Sequence, residues 1–262
     1  MELDLYQLDA FTNKVFQGNP AAICPLNAWL PDTLMQAIAA ENNLSETAFF
    51  VPIEGGYHLR WFTPVAEVDL CGHATLATAA LIFHVLGDKG DELRFNTRSG
   101  WLNVRRQDDL LQMDLPALPA KECEAVPELV EALGVQPLFV GQSRDDYLVV
   151  IEDEAAVRAV RPDFKALSAI GGRGVLVTGP GNDVDFVSRC FFPAYGIDED
   201  PVTGSAHCTL APYWADRLGK NRLTALQCSQ RAGKLICQIA GDRVLLLGTA
   251  KLYLKGKIWV GD

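Results

Sequence analysis

Arg60-Trp61-Phe62-Thr63-Pro64 in the first half of the chain is answered by Arg189-Cys190-Phe191-Phe192-Pro193 in the second, each reading R-x-F-x-P. After each comes a polar loop and then a Gly-x-Ala that opens a mainly apolar helix. In the first half this is Gly72-His73-Ala74, ahead of a run to about Val85; in the second it is Gly204-Ser205-Ala206, leading into His207 to Gly219. A motif that recurs in the same order before the same kind of helix predicts two copies of one supersecondary arrangement. At 262 residues the chain has room for one large domain or two of ordinary size.

The segments between these landmarks mix strands with helices. Strands are expected at Leu3 to Phe11, at Ser45 to Val51 (led by Glu46), and at Tyr57 to Phe62. A helix follows Asp32, read as its N-cap, to about Glu41. Glu92 to Arg106 reads as two strands turning at Ser99 and Gly100. The proline-bearing stretch Leu115 to Pro127 reads as a linker, after which a short helix at Glu128 to Leu133 and strands at Tyr147 to Ile151 and Gly174 to Gly179 resume the pattern. The expected division is an N-terminal lobe of residues 1–118 and a C-terminal lobe of 119–262, with the segment from about 250 onward packing back on the first. The glycine-rich stretch Gly171 to Gly181 lacks the Lys-Ser/Thr of a phosphate loop and the spacing of a dinucleotide fold, so it reads as turns around a buried strand.

Composition narrows the ligand class. A net charge of -10 and a pI near 4.9 disfavour nucleic acid and anionic membrane as partners, because both would repel the chain, and leave small molecules. The longest apolar run, Ala74 to Phe83, is shorter than the roughly 18 to 20 residues that span a bilayer. The first residues carry no basic segment followed by an apolar core, so a cytoplasmic protein is expected. Seven scattered cysteines without a C-x-x-C pair predict reduced thiols and no metal site.

The two helix heads point to chemistry. A buried helix that begins with small or polar residues presents unsatisfied backbone N–H groups and a partial positive charge at its start. If the two copies are related by a pseudo-twofold, both heads can face one cleft, where a carboxylate can bind without any Arg or Lys.

"GNPAAIC" (Gly18 to Cys24), "ENNLSETAF" (Glu41 to Phe49), "FTPVAEVDLCGHATLA" (Phe62 to Ala77) and "GIDEDPVTGSAH" (Gly196 to His207), in this order, closely resemble the phenazine-biosynthesis PhzF-like isomerases. The resemblance covers essentially the whole chain. It implies an α/β fold of the diaminopimelate-epimerase-like kind: two pseudo-symmetric lobes, each a mixed, barrel-like sheet wrapped around a central apolar helix, with the site between them. It further implies proton-shuttling isomerase chemistry without a cofactor, and a homodimer. By the same resemblance Glu46 is the acid/base residue, His73 and Asp200 are its polar partners, and Gly72, Gly204 and Ser205 are helix-start residues that contact substrate.

Moving a proton off carbon needs a base tuned by partial burial and groups that hold the developing negative charge, and this assignment supplies both. Asp200 precedes Pro201, where turn chemistry alone would also place an acid. Cys71 occupies the position from which racemases of this fold use one of two cysteines, yet "EDPVTGSA" offers no second thiol. Cys71 is therefore expected to line or back the site. His58 and His84 read as structural, and His207 and Cys208 as packing residues. The function expected is a cofactor-independent isomerase acting on a small carboxylate. The alternatives are an epimerase or racemase of an amino or hydroxy acid using a Cys71-containing pair, and a non-catalytic ligand-binding protein of the same fold.

Overall fold

The computed structural model describes residues 1–261 and divides the chain into two units: Met1–Asp114 together with the chain from Leu247 onward, and Leu115–Leu246. In the first unit the elements are β1 (Glu2–Ala10), β2 (Asn19–Pro25), α1 (Asp32–Asn42), β3 (Glu46–Ile53), β4 (Gly56–Phe62), β5 (Glu67–Val68), α2 (Gly72–Ala80), β6 (Glu92–Thr97) and β7 (Gly100–Gln107), before β8 (Leu110–Pro116) carries the chain to the boundary. The second unit holds β9 (Lys121–Glu122), α3 (Pro127–Leu133), β10 (Phe139–Gln142), β11 (Asp146–Val150), α4 (Glu154–Ala159), α5 (Phe164–Ser168), β12 (Gly174–Pro180), β13 (Phe186–Phe192), β14 (Ile197–Asp200), α6 (Gly204–Leu218), β15 (Arg222–Gln227), β16 (Gly233–Ala240) and β17 (Arg243–Gly248). The last strand, β18 (Ala250–Trp259), runs antiparallel along β1, with Trp259 opposite Glu2.

Each unit is a mixed sheet, and the two share one pairing order. β1–β2 is antiparallel, β2–β3 parallel, β3–β4 antiparallel, β4–β6 parallel and β6–β7 antiparallel. The second unit repeats this as β10–β11, β11–β12, β12–β13, β13–β15 and β15–β16, with the same orientation at every step. Even the inward-outward alternation matches, since β6 and β15 bury the same three positions of six.

The R-x-F motif has one structural meaning in both copies. Arg60 forks Glu67 through Nε and Nη2, both at 2.7 Å, while its guanidinium carbon sits 5.1 Å from the Phe62 ring centre. Arg189 forks Glu199 at 2.7 and 2.8 Å and sits 5.0 Å from the ring of Phe191. Residues two apart on a strand share a face, so the arginine lies over its own phenylalanine while reaching the glutamate on the returning strand, β5 or β14. This clamp fixes the loop that delivers each helix head.

Helix α2 is buried along its length and α6 over its N-terminal half. All of α2 except Gly72 is buried, and the helix packs on β1, β2, β3 and β18. Full burial of a side chain such as Leu76 contributes roughly 1.5–3 kcal/mol. α6 packs on β11, β12, β15 and β16. The helix expected to run from Gly72 to Val85 is α-helical to Ala80 and then widens to a π-helical turn over Leu81–Val85, closed by the Leu86 N–H on the Leu81 carbonyl at 2.9 Å. Asp32, expected as an N-cap, is instead the first residue of α1, with Pro31 at the cap position. Its carboxylate is engaged by Arg60 Nη1 at 2.8 Å and does not cap the helix.

Candidate active site

Three of the residues singled out from sequence meet in the first unit. Glu46 is the first residue of β3, in register with Ala21 of β2, and its Oε2 lies 3.3 Å from His73 Nε2. His73 is the second residue of α2 and is buried. Its other ring nitrogen, Nδ1, lies 3.2 Å from Asn19 Nδ2 and 3.5 Å from Cys71 Sγ. Cys71 is the extended residue at the helix N-cap, and Gly72 opens the first turn. Tight delivery of the helix head depends on Thr75, whose hydroxyl donates to the Cys71 carbonyl at 2.6 Å.

Burial pushes the His73 imidazole down to about 3, against the opposing pull of a hydrogen bond to the Pro20 backbone, so the ring is neutral at physiological pH. A neutral imidazole has one N–H and one bare nitrogen. Glu46, Cys71 and His73 bring ligand-type atoms within 4.8 Å of one another, a spacing that a metal can use. His73 meets the carboxylate through Nε2 and the thiol through Nδ1.

The remaining predicted residues lie at the equivalent head in the second unit. Asp200 ends β14 rather than sitting in a turn, and it is 8% exposed. Thr203 occupies the N-cap of α6, as Cys71 does that of α2, and its hydroxyl donates to Asp200 Oδ2 at 2.5 Å. The buried Gln227 amide locks this segment: its Oε1 accepts from the Thr203 N–H at 2.8 Å and its Nε2 donates to the Asp200 carbonyl at 2.7 Å. Gly204 opens α6, and Ser205 follows in the place that His73 holds in the first copy.

His207 and Cys208 are both buried in α6. His207 Nδ1 donates to the Thr203 carbonyl at 2.8 Å, and burial lowers its pKa to about 4. His58 accepts from Trp29 Nε1 at 3.2 Å.

Sequence reading passed over Arg173 and Gln227. Arg173 stands in the loop read as plain turns, yet its Nη1 donates to Ser205 Oγ at 3.1 Å. The signal available was a lone cation between Gly172 and Gly174, which carries no meaning until the fold brings it to residue 205. Gln227 gave no signal at all.

A mixed two-copy α/β fold with a carboxylate against an imidazole at one helix head is the setting in which comparison with known proteins becomes informative. The sequence profile of the phenazine biosynthesis-like proteins, PhzC-PhzF, matches residues 8–256. An uncharacterised isomerase of Pseudomonas aeruginosa is 56% identical over 258 residues, covering 98% of this chain and 99% of the relative. The crystal structure of a PhzF-family protein from Enterococcus faecalis superposes with a TM-score of 0.97 at 47% identity, covering 99% of this chain and all (100%) of that one. The chain belongs to the phenazine biosynthesis-like family and is an isomerase of that family.

A hydroxyproline epimerase from Agrobacterium vitis shares the fold alone, with a TM-score of 0.60 at 10% identity over 98% of this chain and 92% of that one. Among the described residues no helix is long and apolar enough to cross a membrane.

Proposed function

We propose that the protein is a cofactor-independent isomerase that moves a proton on a small carboxylate substrate, with Glu46 as the proton-transfer residue and His73 and Asp200 as its polar partners. The contact between Glu46 Oε2 and His73 Nε2 supports this reading above all else. Glu46 must exist in two states during a proton transfer, carboxylate and acid, and each needs a different neighbour. With the imidazole proton on Nε2, His73 donates to the carboxylate while Nδ1 accepts from the Asn19 amide. With the proton on Nδ1, bare Nε2 accepts from the acid. The Asn19 amide presents its Nδ2 donor to Nδ1 and so serves the first tautomer, and turned over it would offer Oδ1 to the second. A neutral ring that changes tautomer favours neither state strongly, and this suits a group that must take a proton and give it back.

In the same reading Asp200, Gly72, Gly204 and Ser205 belong to the substrate site, and the protein works as a cytoplasmic homodimer. The test is solvent exchange: small carboxylates that raise the melting temperature are incubated with enzyme in D2O and followed by NMR. Deuterium entering a carbon position with wild type and not with Glu46→Gln supports the proposal, and equal exchange by the two overturns it.

One observation favours a second reading. Cys71 Sγ, 3.5 Å from His73 Nδ1, lies at the far end of the same ring, which puts a thiol and a carboxylate close enough together to supply the two acid/base groups of an epimerase. Cys71→Ser separates the two readings on the same substrate.

A further inference from the structure

The second unit carries a charged cluster that the proposed proton transfer does not use. Arg173 donates from Nε to Asp146 Oδ1 at 2.9 Å and from Nη2 to Asp146 Oδ2 at 2.5 Å, and its Nη1 reaches Ser205 Oγ at 3.1 Å. The guanidinium carbon sits 5.4 Å from the ring centre of Phe192. Asp146 is 1% exposed, whereas the Arg173 side chain is 31% exposed. The carboxylate is therefore sunk in the protein and the cation it holds faces outward.

Comparison of the two copies shows that the fold itself does not require this pair. Ala21 is in register with Glu46 in the first unit, and Asp146 is in register with Gly174 in the second. Arg60 stands opposite Phe49 and Arg189 opposite Val177, so the same offset makes Gly174 the counterpart of Glu46, Asp146 of Ala21 and Arg173 of Ser45. The first copy builds this junction with alanine and serine. In the second, the position of the acid is glycine, and a Cβ there would lie 2.2 Å from the Phe192 ring. That ring fills the space and backs the guanidinium.

We propose that Arg173 is a specificity-determining and positioning residue that makes the Ser205 head of the second unit select a carboxylate. This rests on the proposed reaction taking place on a carboxylate substrate.

The chemistry follows from donor counting. The Nη1 hydrogen occupies a lone pair of Ser205 Oγ, so the hydroxyl proton must point to another acceptor, and Ser205 is presented as a donor. Asp146 takes two of the five guanidinium hydrogens and Ser205 one, which leaves two for a ligand among the described residues. An oxygen that accepts from both Ser205 and Arg173 is best supplied by an anion, and the two oxygens of a carboxylate match the arginine geometry.

Acetate is small enough to enter any site that takes a carboxylate group, and acetamide is its neutral counterpart. Each is titrated into isotope-labelled protein, with the Ser205 amide resonance as the readout. Acetate is expected to shift that resonance saturably in the millimolar range, and acetamide is not. The double variant Arg173→Met with Asp146→Leu removes both charges, so no buried carboxylate is left unpaired. It is expected to bind acetate about tenfold more weakly, with no change toward acetamide. Arg173→Lys keeps a cation beside Asp146 but loses the fork, and it is expected to lose a large part of the same discrimination. The proposal is overturned if wild type shows no saturable acetate effect at Ser205, or if both variants still prefer acetate over acetamide as wild type does. Acetate binding without deuterium exchange on any substrate would sink the proton-transfer reading and leave this one standing.

Discussion

Trp214 donates its indole N–H to the Thr178 hydroxyl at 3.0 Å, and Thr178 in turn donates to the Val187 carbonyl at 2.6 Å. Both side chains are buried, and Trp214 stacks on Phe186 with the ring planes 4° apart. The pair fastens the C-terminal half of α6 to β12. Thr178→Val keeps the shape but orphans a buried N–H, and it is expected to cost about 1–3 kcal/mol. Adding Trp214→Phe removes the orphan, so the double variant should be less destabilised than the sum of the two single changes. A denaturation cycle in which the effects simply add would show that the bond carries no coupling.

Loss of the proposed base should be far more severe than loss of the neighbouring thiol. Glu46→Gln is expected to lower deuterium exchange by roughly 10²–10⁴-fold, the range for a positioned acid/base group, with little change in stability. Cys71→Ser is expected to stay within about tenfold of wild type on the same substrate, since serine fits the N-cap but is a poor base at neutral pH. The reverse order would favour the epimerase chemistry.

Two neutral buried imidazoles make the fold sensitive to acid. His73 and His207 have folded pKa values of about 3 and about 4, each lowered first of all by burial. The unfolded chain, with histidines near 6.5, binds these protons more readily, so the stability they contribute is whole above about pH 6.5 and is lost as pH falls toward the folded values. Each ring should steepen the loss by about 1.4 kcal/mol per pH unit inside that window. Urea unfolding at pH 7, 6 and 5 should show the decline. His207→Asn, whose amide can still donate to the Thr203 carbonyl, should reduce its slope by about one ring's share. An unchanged slope would mean that His207 is not the neutral, buried ring found here.

The arginine clamps should not tolerate lysine. The Arg189 side chain is 11% exposed and serves Glu199 and, through Nη1, the Val160 carbonyl at 2.7 Å. One ammonium cannot reproduce the fork together with this third bond. Arg189→Lys is expected to cost about 1–3 kcal/mol in chemical denaturation, and a loss below about 0.5 kcal/mol would assign the clamp a negligible role.

Resemblance to a known family marked Glu46 and His73, while the sequence by itself determined the duplication, the two buried helices and their polar heads. Those features are local: a repeated motif, an apolar period and a helix-start signal can be read within a few residues of chain. Tertiary structure decided what local signals do not encode. It placed Glu46 against His73 across 27 residues of chain, and it gave Arg173 its partner 32 residues away in Ser205. It also laid β18 along β1, joining Trp259 to Glu2. The sharpest contrast lies between the two copies. Ala21 and Asp146 occupy equivalent register positions with opposite chemistry, and only the strand pairing reveals that the second copy exchanged an acid for a glycine and put a held cation beside it. Sequence spacing sets the period of a strand, whereas the residue that lies opposite depends on which strand the chain pairs with, and that is fixed by burial of the whole core.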